Sequence, residues 1–385
     1  MARSSNGVVP AEARSGPGQV HPDSGDPYNA GETAETPLTV LTAAVVGAGV
    51  GGSLSIRALR ESPRYELVAV ADVRPGALAP HSGDVATFTD YRDMLSAVTP
   101  DVVCVSTYAP THEEIARAAI KLPVRGLLVE KPLSDTTAGG RAILDLAGRL
   151  GVPLVVPHGL MAMSGPLEIV ARVRSGAIGG LRLVEIESSG WDVINAGIHW
   201  LQFFLALVSP EPVVSVLAAA DTSTRTHRDG MRVETEAAVL ARCRDGVRMV
   251  LNTGDVLPIM DGHTDALVRV IGTEGVIEYA PWENTYTAVI AGEPRATVAP
   301  APFPTSGHRR HLDHLADLVA AGTTDDLVPE TSLAALEVVE AAYLSHRVRA
   351  AVTLPLSAYA APPPTGWDPG SPYSGAGGGR DGRRL

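Results

Sequence analysis

Glu130-Lys131-Pro132 stands directly after the apolar run 126–129, which reads as a buried strand. A lysine at the carboxyl end of a strand is partly desolvated once a ligand covers it. Desolvation lowers an ammonium's pKa toward the range where it can move a proton or polarise a substrate oxygen. Pro132 restricts the lysine backbone to extended geometry and holds the group in place. A surface Glu-Lys-Pro at a helix start would carry the same letters, so the tripeptide needs partners. A second set lies in residues 191–204, where Ile198, Leu201, Leu205 and Val208 give the apolar stripe of a buried helix. Asn195, His199 and Gln202 fall at i, i+4 and i+7, on one face of that helix. Polar groups carried inside must pair with protein, solvent or substrate. An imidazole there can act as acid or base near neutral pH, although a core histidine satisfied by a neighbour has the same pattern.

The residues that could hold a cofactor come earlier. Gly47, Gly49 and Gly52 match G-x-G-x-x-G between the apolar run 40–46 and a helical pattern over 53–59. Each absent side chain has a reason: a tight turn, close approach of backbone to a pyrophosphate, and close packing of helix on strand. The helix start around Val50 then offers unpaired N–H groups to the anion. In a chain with 39 glycines the pattern alone is weak. Its context is specific, because a second apolar run, 67–71, ends in Asp72, where a ribose-binding acid belongs in a dinucleotide fold. Asp72 would accept the adenosine ribose hydroxyls and repel a 2′-phosphate, which favours NAD; Arg74 could instead meet that phosphate and admit NADP.

Two kinds of architecture must position these groups. After the second strand, a short strand at 86–89, a helix at 90–98, a strand at 101–107 and a helix at 111–121 follow in order. The strand 126–130, a helix at about 136–150 and a strand at 153–156 complete the series. Alternation with continuously apolar strands predicts a parallel sheet covered on both faces, whose ligands bind beyond the strands' carboxyl ends. Asp72, Thr107, Tyr108, Glu130 and Lys131 should therefore line one edge. The second half instead gives strands at 181–189, 213–220, 234–243, 247–253, 266–272 and 276–279, several joined by turn signals. Two helices, about 309–321 and 333–350, and a last strand at 352–355 close it. The fold class is thus an α/β Rossmann dinucleotide-binding domain, residues 38–157, followed by an α+β domain, 158–356, with a mainly antiparallel open-faced sheet. Residues 1–37 and 357–385 are rich in Gly, Pro, Ser and charge without apolar period, and read as disordered tails.

Bulk properties narrow the partners. A chain of 385 residues is long enough for two domains with separate cores. A net charge of −12, with 31 Lys and Arg against 43 Asp and Glu, disfavours nucleic acid and anionic membranes as ligands. Cys104 and Cys243 sit inside apolar runs far apart, which fits reduced buried thiols and a cytoplasmic location. No apolar run reaches membrane-spanning length, and the N-terminus lacks the apolar core of a signal peptide. His308, His311 and His314 invite a metal reading, but three-residue spacing fans the rings around a helix, so a solvated helix start and no metal site are expected.

Taken together the residues resemble the Gfo/Idh/MocA oxidoreductases (glucose-fructose oxidoreductase, inositol dehydrogenase, rhizopine catabolism). The similarity runs through Gly47, Gly49 and Gly52, Asp72, Val105-Ser106-Thr107 with Pro110 and His112, Glu130-Lys131-Pro132, Ser175 to Gly179, and Gly197-x-His199. It spans about residues 40 to 356. The resemblance implies an NAD or NADP cofactor held by Gly47, Gly49, Val50, Gly52, Asp72, Arg74, Thr107, Pro110, His112, Glu130 and Lys131. It implies Lys131 and His199 as the catalytic pair, with Asn195, His158 and Gln202 toward a sugar, inositol or related polyol. It further implies an oligomer, homodimer or homotetramer, built on the open sheet. Asn195 and Gln202 stand where the family often has acids, and an amide can hold a hydroxyl but cannot relay a proton. The segment 157–163 lacks the arginines many members carry, so a less cationic pocket and a substrate without phosphate are expected. A redox-neutral epimerase or glycosidase working through a transient keto-sugar, and a dinucleotide-sensing regulator, remain compatible with these residues.

Overall fold

The computed structural model describes residues 40–356, apart from 222–225, 255–256, 258, 260–265 and 326. The tails expected to be disordered lie outside the described residues. The first half comprises β1 (Leu41–Val46), α1 (Val50–Glu61), β2 (Tyr65–Ala71), α2 (Pro75–Leu78), β3 (Ala86–Phe88) and α3 (Tyr91–Ala97). It continues with β4 (Val102–Val105), α4 (His112–Ala119), β5 (Gly126–Val129), α5 (Thr137–Leu150) and β6 (Leu154–Val155). These strands form one sheet in the order β3-β2-β1-β4-β5-β6, every pair parallel. The order reverses between β1 and β4, which opens a crevice at their carboxyl ends. All residues of β4 and β5 are buried, as strands covered on both faces require.

The second half begins with α6 (Ser164–Arg174), β7 (Leu181–Ser189) and α7 (Gly197–Val208). Next come β8 (Val213–Asp221), β9 (Thr226–Arg228), β10 (Met231–Val233), β11 (Glu236–Cys243) and β12 (Arg248–Gly254). Then follow β13 (Ala266–Gly272), β14 (Gly275–Tyr279), β15 (Tyr286–Ile290) and β16 (Ala296–Val298). Two helices, α8 (Gly307–Ala321) and α9 (Leu327–Val348), lead to β17 (Val352–Thr353). A nine-stranded sheet runs β16-β15-β14-β13-β7-β12-β11-β8-β17, antiparallel throughout except for β7 against β12. Helices α7 and α9 cover one face, burying Trp200, Phe203, Phe204, Leu336 and Val339 with Val239, Met249 and Val268 from the strands. On the other face β11 alternates exposed and buried positions, and Leu217, Leu240 and Val250 lie side by side across β8, β11 and β12, each 39–46% exposed.

Three expectations need correction. Helix α7 is buried on every side, so it carries no single apolar stripe. The helix α6, the β9–β10 hairpin and the strands β15 and β16 add elements to those read from the sequence. Helix α8 does not begin as a solvated turn: His311 is 1% exposed and His314 8%. The reason is where α8 packs, since Leu312, Leu315 and Ala316 join α1 in the core under the first sheet. Gly126 permits the close approach, because a Cβ there would lie 3.0 Å from Leu315 Cδ1. No helix among the described residues is long and apolar enough to cross a membrane. Cys104 and Cys243 are buried free thiols, one in each sheet.

Candidate active site

The glycine loop has the shape of a cradle. Gly47 has φ +96°, and a Cβ on it would sit 2.4 Å from Ser106 O. A Cβ on Gly52 would sit 1.8 Å from Gly47 O. Gly49, at the N-cap of α1, would meet only Arg74 Nη2, at 3.6 Å, so its outer side is open. The helix has neither a side-chain cap nor an acidic residue in its first turn, leaving its amide end to an anion. These residues fit a dinucleotide pyrophosphate.

Asp72 ends β2 beside this loop, but it is not a bare acid. Its Oδ2 accepts from Ala48 N at 2.8 Å and Arg74 Nη2 at 3.0 Å, and its Oδ1 accepts from Arg74 N at 2.8 Å and Nε at 3.0 Å. Burial disfavours the charged form, yet the Arg74 guanidinium and the backbone amides hold the carboxyl below its ordinary value. Arg74 and Asp72, read from the sequence as alternatives, form one ion pair at the carboxyl end of β2.

The loop after β4 is braced from within. Thr107 Oγ1 lies 2.7 Å from Thr111 Oγ1, and Pro110 sits in the turn between them. His112 was expected at the cofactor; its Nδ1 instead faces Pro132 O and its Nε2 faces Thr107 O, both at 3.0 Å. It ties the β4 loop to the Lys131-Pro132 turn and has no ring nitrogen left for a ligand. Glu130 also turns inward, with Oε1 2.7 Å from His308 Nε2 and Oε2 accepting from Lys131 N at 3.1 Å. Burial opposes its charge, but His308, Lys131 and His112 hold the carboxyl below its ordinary value.

Lys131 reaches across to the second domain, where Nζ donates to Asn195 O at 3.2 Å across a cis Lys131–Pro132 strand end. Asn195 precedes α7, so helical spacing does not apply to it. Its backbone N and Nδ2 both donate to Asp192 Oδ1, at 2.7 and 3.1 Å, so the amide nitrogen is engaged by that carboxylate. The expected face of Asn195, His199 and Gln202 therefore does not exist. Gln202 Nε2 donates to Thr331 Oγ1 at 3.2 Å, while its Oε1 is buried without a hydrogen-bond partner among the described residues.

His199, in the first turn of α7, is buried, and its Nδ1 also has no partner among the described residues. Burial, then the Lys131 charge and the neighbouring His158, His308 and His311, hold it well below its ordinary value, so the ring is neutral at pH 7. His158 stands edge-on to it at 5.5 Å, bonded through Nε2 to Ser332 Oγ at 2.9 Å. Burial and then Lys131 push His158 down to about 3.

The sequence reading missed several residues that shape this centre. Asp192 and Glu234 are both buried; Glu234 accepts from Val193 N at 2.6 Å and from Tyr343 OH at 2.6 Å. Burial and then the Asp192 charge push Glu234 up to about 7. Trp282, on the turn between β14 and β15, lies 5.4 Å from the His199 ring. Each comes from a loop, where no periodicity marks it.

A parallel sheet with an open glycine cradle at its switch point defines a dinucleotide-binding protein, and Lys131 with a neutral His199 supplies groups that can move a proton, as an oxidoreductase needs. Comparison agrees: residues 41–158 match the sequence model of the family described as oxidoreductase family, NAD-binding Rossmann fold (GFO_IDH_MocA). The chain is 27% identical over 258 residues to rhizopine catabolism protein MocA of Rhizobium meliloti, covering 63% of this chain and 78% of that protein. It is 27% identical over 334 residues to D-apiose dehydrogenase of Paraburkholderia graminis, covering 79% and 87%. An oxidoreductase domain protein from Kribbella flavida shares the fold, with TM-score 0.72 and 19% identity over 82% of this chain and 100% of that one. The match places an NAD-binding Rossmann domain of the Gfo/Idh/MocA type over residues 41–158, and the chain is an NAD(P)-dependent oxidoreductase.

Proposed function

We propose that this enzyme oxidises, reversibly, a carbinol carbon of a sugar, inositol or related polyol. What supports the reading most is the meeting of Lys131, from the first sheet, with the α7 segment that carries a neutral His199. A neutral imidazole can take the proton of a substrate hydroxyl, while the lysine ammonium holds the oxygen and stabilises the charge that develops on it. Gly47, Gly49 and Gly52 would hold the dinucleotide's pyrophosphate and the Asp72–Arg74 pair its ribose. Once bound, the nicotinamide supplies the hydride acceptor. His158 has a free Nδ1 and Gln202 a free Oε1 with which to orient further hydroxyls. Asp72 favours NAD over NADP. The segment 157–163 brings Leu160 and Met161 inward and no arginine, which favours a substrate without phosphate.

The relatives' printed activities toward rhizopine and D-apiose point to the same substrate class. A cytoplasmic location suits the two free thiols. The uncovered apolar row Leu217, Leu240 and Val250 suits a homodimer or homotetramer. A screen of inositols, hexoses, aminosugars and nucleotide sugars for NADH formation tests the reading. Lys131→Met should bind cofactor normally and lose ~10²-fold or more in turnover of any substrate found. Normal turnover in that variant removes the lysine from the mechanism.

A further inference from the structure

We propose that Trp282 is a stacking platform for the C–H face of a ring-shaped substrate, so that the site selects pyranoses or cyclitols over open-chain polyols. The proposal rests on the dehydrogenase reading above and narrows it. Trp282 has φ +74°, a left-handed conformation that a bulky aromatic rarely adopts and that persists only where the surroundings fix it. Its turn is fixed on both sides. Glu283 N donates to Ala280 O at 3.1 Å, and Asn284 Nδ2 donates to Pro300 O at 2.5 Å and to Ser164 Oγ at 2.8 Å. Asn284 Oδ1 accepts from Gly165 N at 2.8 Å.

So held, the indole is pressed against Gly159, where a Cβ would lie 2.7 Å from Cζ3. It also meets the His199 ring edge-on at 5.4 Å and Trp200 at 5.7 Å. Yet Trp282 is 51% exposed, while Trp200 is fully buried. The backbone strain and the glycine at 159 therefore serve to hold an indole beside the proton-accepting imidazole without burying it. An apolar surface left open next to convergent polar groups is what a binding pocket shows. A pyranose or cyclitol chair has a flat patch of axial hydrogens and a rim of hydroxyls. Laid on the indole, it brings that rim beside His199. An open-chain polyol has no such patch and loses rotational freedom on ordering.

The experiment uses the full chain loaded with NADH and saturation-transfer NMR with myo-inositol, methyl β-D-glucopyranoside and D-glucitol as probes. At least one cyclic probe should receive magnetisation mainly on the hydrogens of one ring face, and glucitol should receive little. Trp282→Ala should weaken binding of that probe by roughly 10-fold, and Trp282→Phe should recover most of it. In turnover, the alanine variant should carry its loss chiefly in KM. Equal transfer to glucitol, no transfer to any probe, or unchanged binding in Trp282→Ala overturns the platform, whether or not the enzyme oxidises alcohols. Face-selective transfer without NADH formation from any alcohol would keep the platform and remove the dehydrogenase reading.

Discussion

The ion pair between Asp72 and Arg74 shows how one residue's role depends on its neighbour. Arg74 forms a two-point fork on the carboxylate and is itself largely exposed, so the acid's charge is partly matched before any ligand binds. Asp72→Ser would remove the repulsion of a 2′-phosphate and release the guanidinium to meet it. The ratio of NADP to NAD affinity, measured by titration of the protein, should rise about tenfold or more; an unchanged ratio would mean the pair does not face the ribose. At this scale Lys131 and His199 could be singled out from the sequence as candidates, because each stands beside a strong local signal: a strand end, or an apolar helix. Asp192, Glu234 and Trp282 could not, since their importance comes from what folds against them.

Among the elements, the buried parallel strands were legible because continuous apolar runs of four to seven residues between turn signals have few other uses. Helix α6 was not, because Ser164-Gly165-Pro166 at its start looks like a loop, and β15 and β16 are short and mixed in polarity. Asn195 was misplaced for a related reason: an apolar helix was extended backward over residues that Asp192 folds into a turn. The junction of β1 and α1 is the least forgiving element. At Gly52 an added methyl would overlap backbone oxygen, which no rotamer can relieve. Gly52→Ala should lower stability by about 1–3 kcal/mol in denaturant unfolding and weaken dinucleotide binding. Wild-type stability in that variant would show that the loop yields without cost.

For the molecule as a whole, the buried titratable groups set its tolerance of acid. His158, His199 and His311 all have folded values below the ordinary 6.5, with burial the largest cause. The unfolded chain therefore binds more protons than the folded one below pH 6.5, and stability should fall as pH drops through that region. Glu234 works the other way: raised to about 7, it favours the folded state as pH falls from about 7 toward 4.5. Glu234→Gln should thus be more stable than the parent at pH 8 and lose stability more steeply on acidification, as thermal melts across pH 5 to 8 would show. Parallel curves for the two proteins would mean the carboxyl is ionised in the fold. The open sheet has its own test. Leu240→Glu places a charge in the middle of the apolar row and should convert an oligomer to monomer in sedimentation velocity. An unaltered sedimentation coefficient would locate the interface elsewhere.

One face of the first sheet is finished by α8, which the ribosome makes long after β6. At ~5–20 residues per second the nascent nucleotide domain waits on the order of ten seconds with that side only partly covered, by α1. During that interval Leu128 and Val155 have no cover from Leu312 and Leu315, a patch suited to chaperone capture. A messenger truncated before Gly307 should accordingly yield protein found in inclusion bodies or bound to holdases, not a free-standing cofactor-binding fragment.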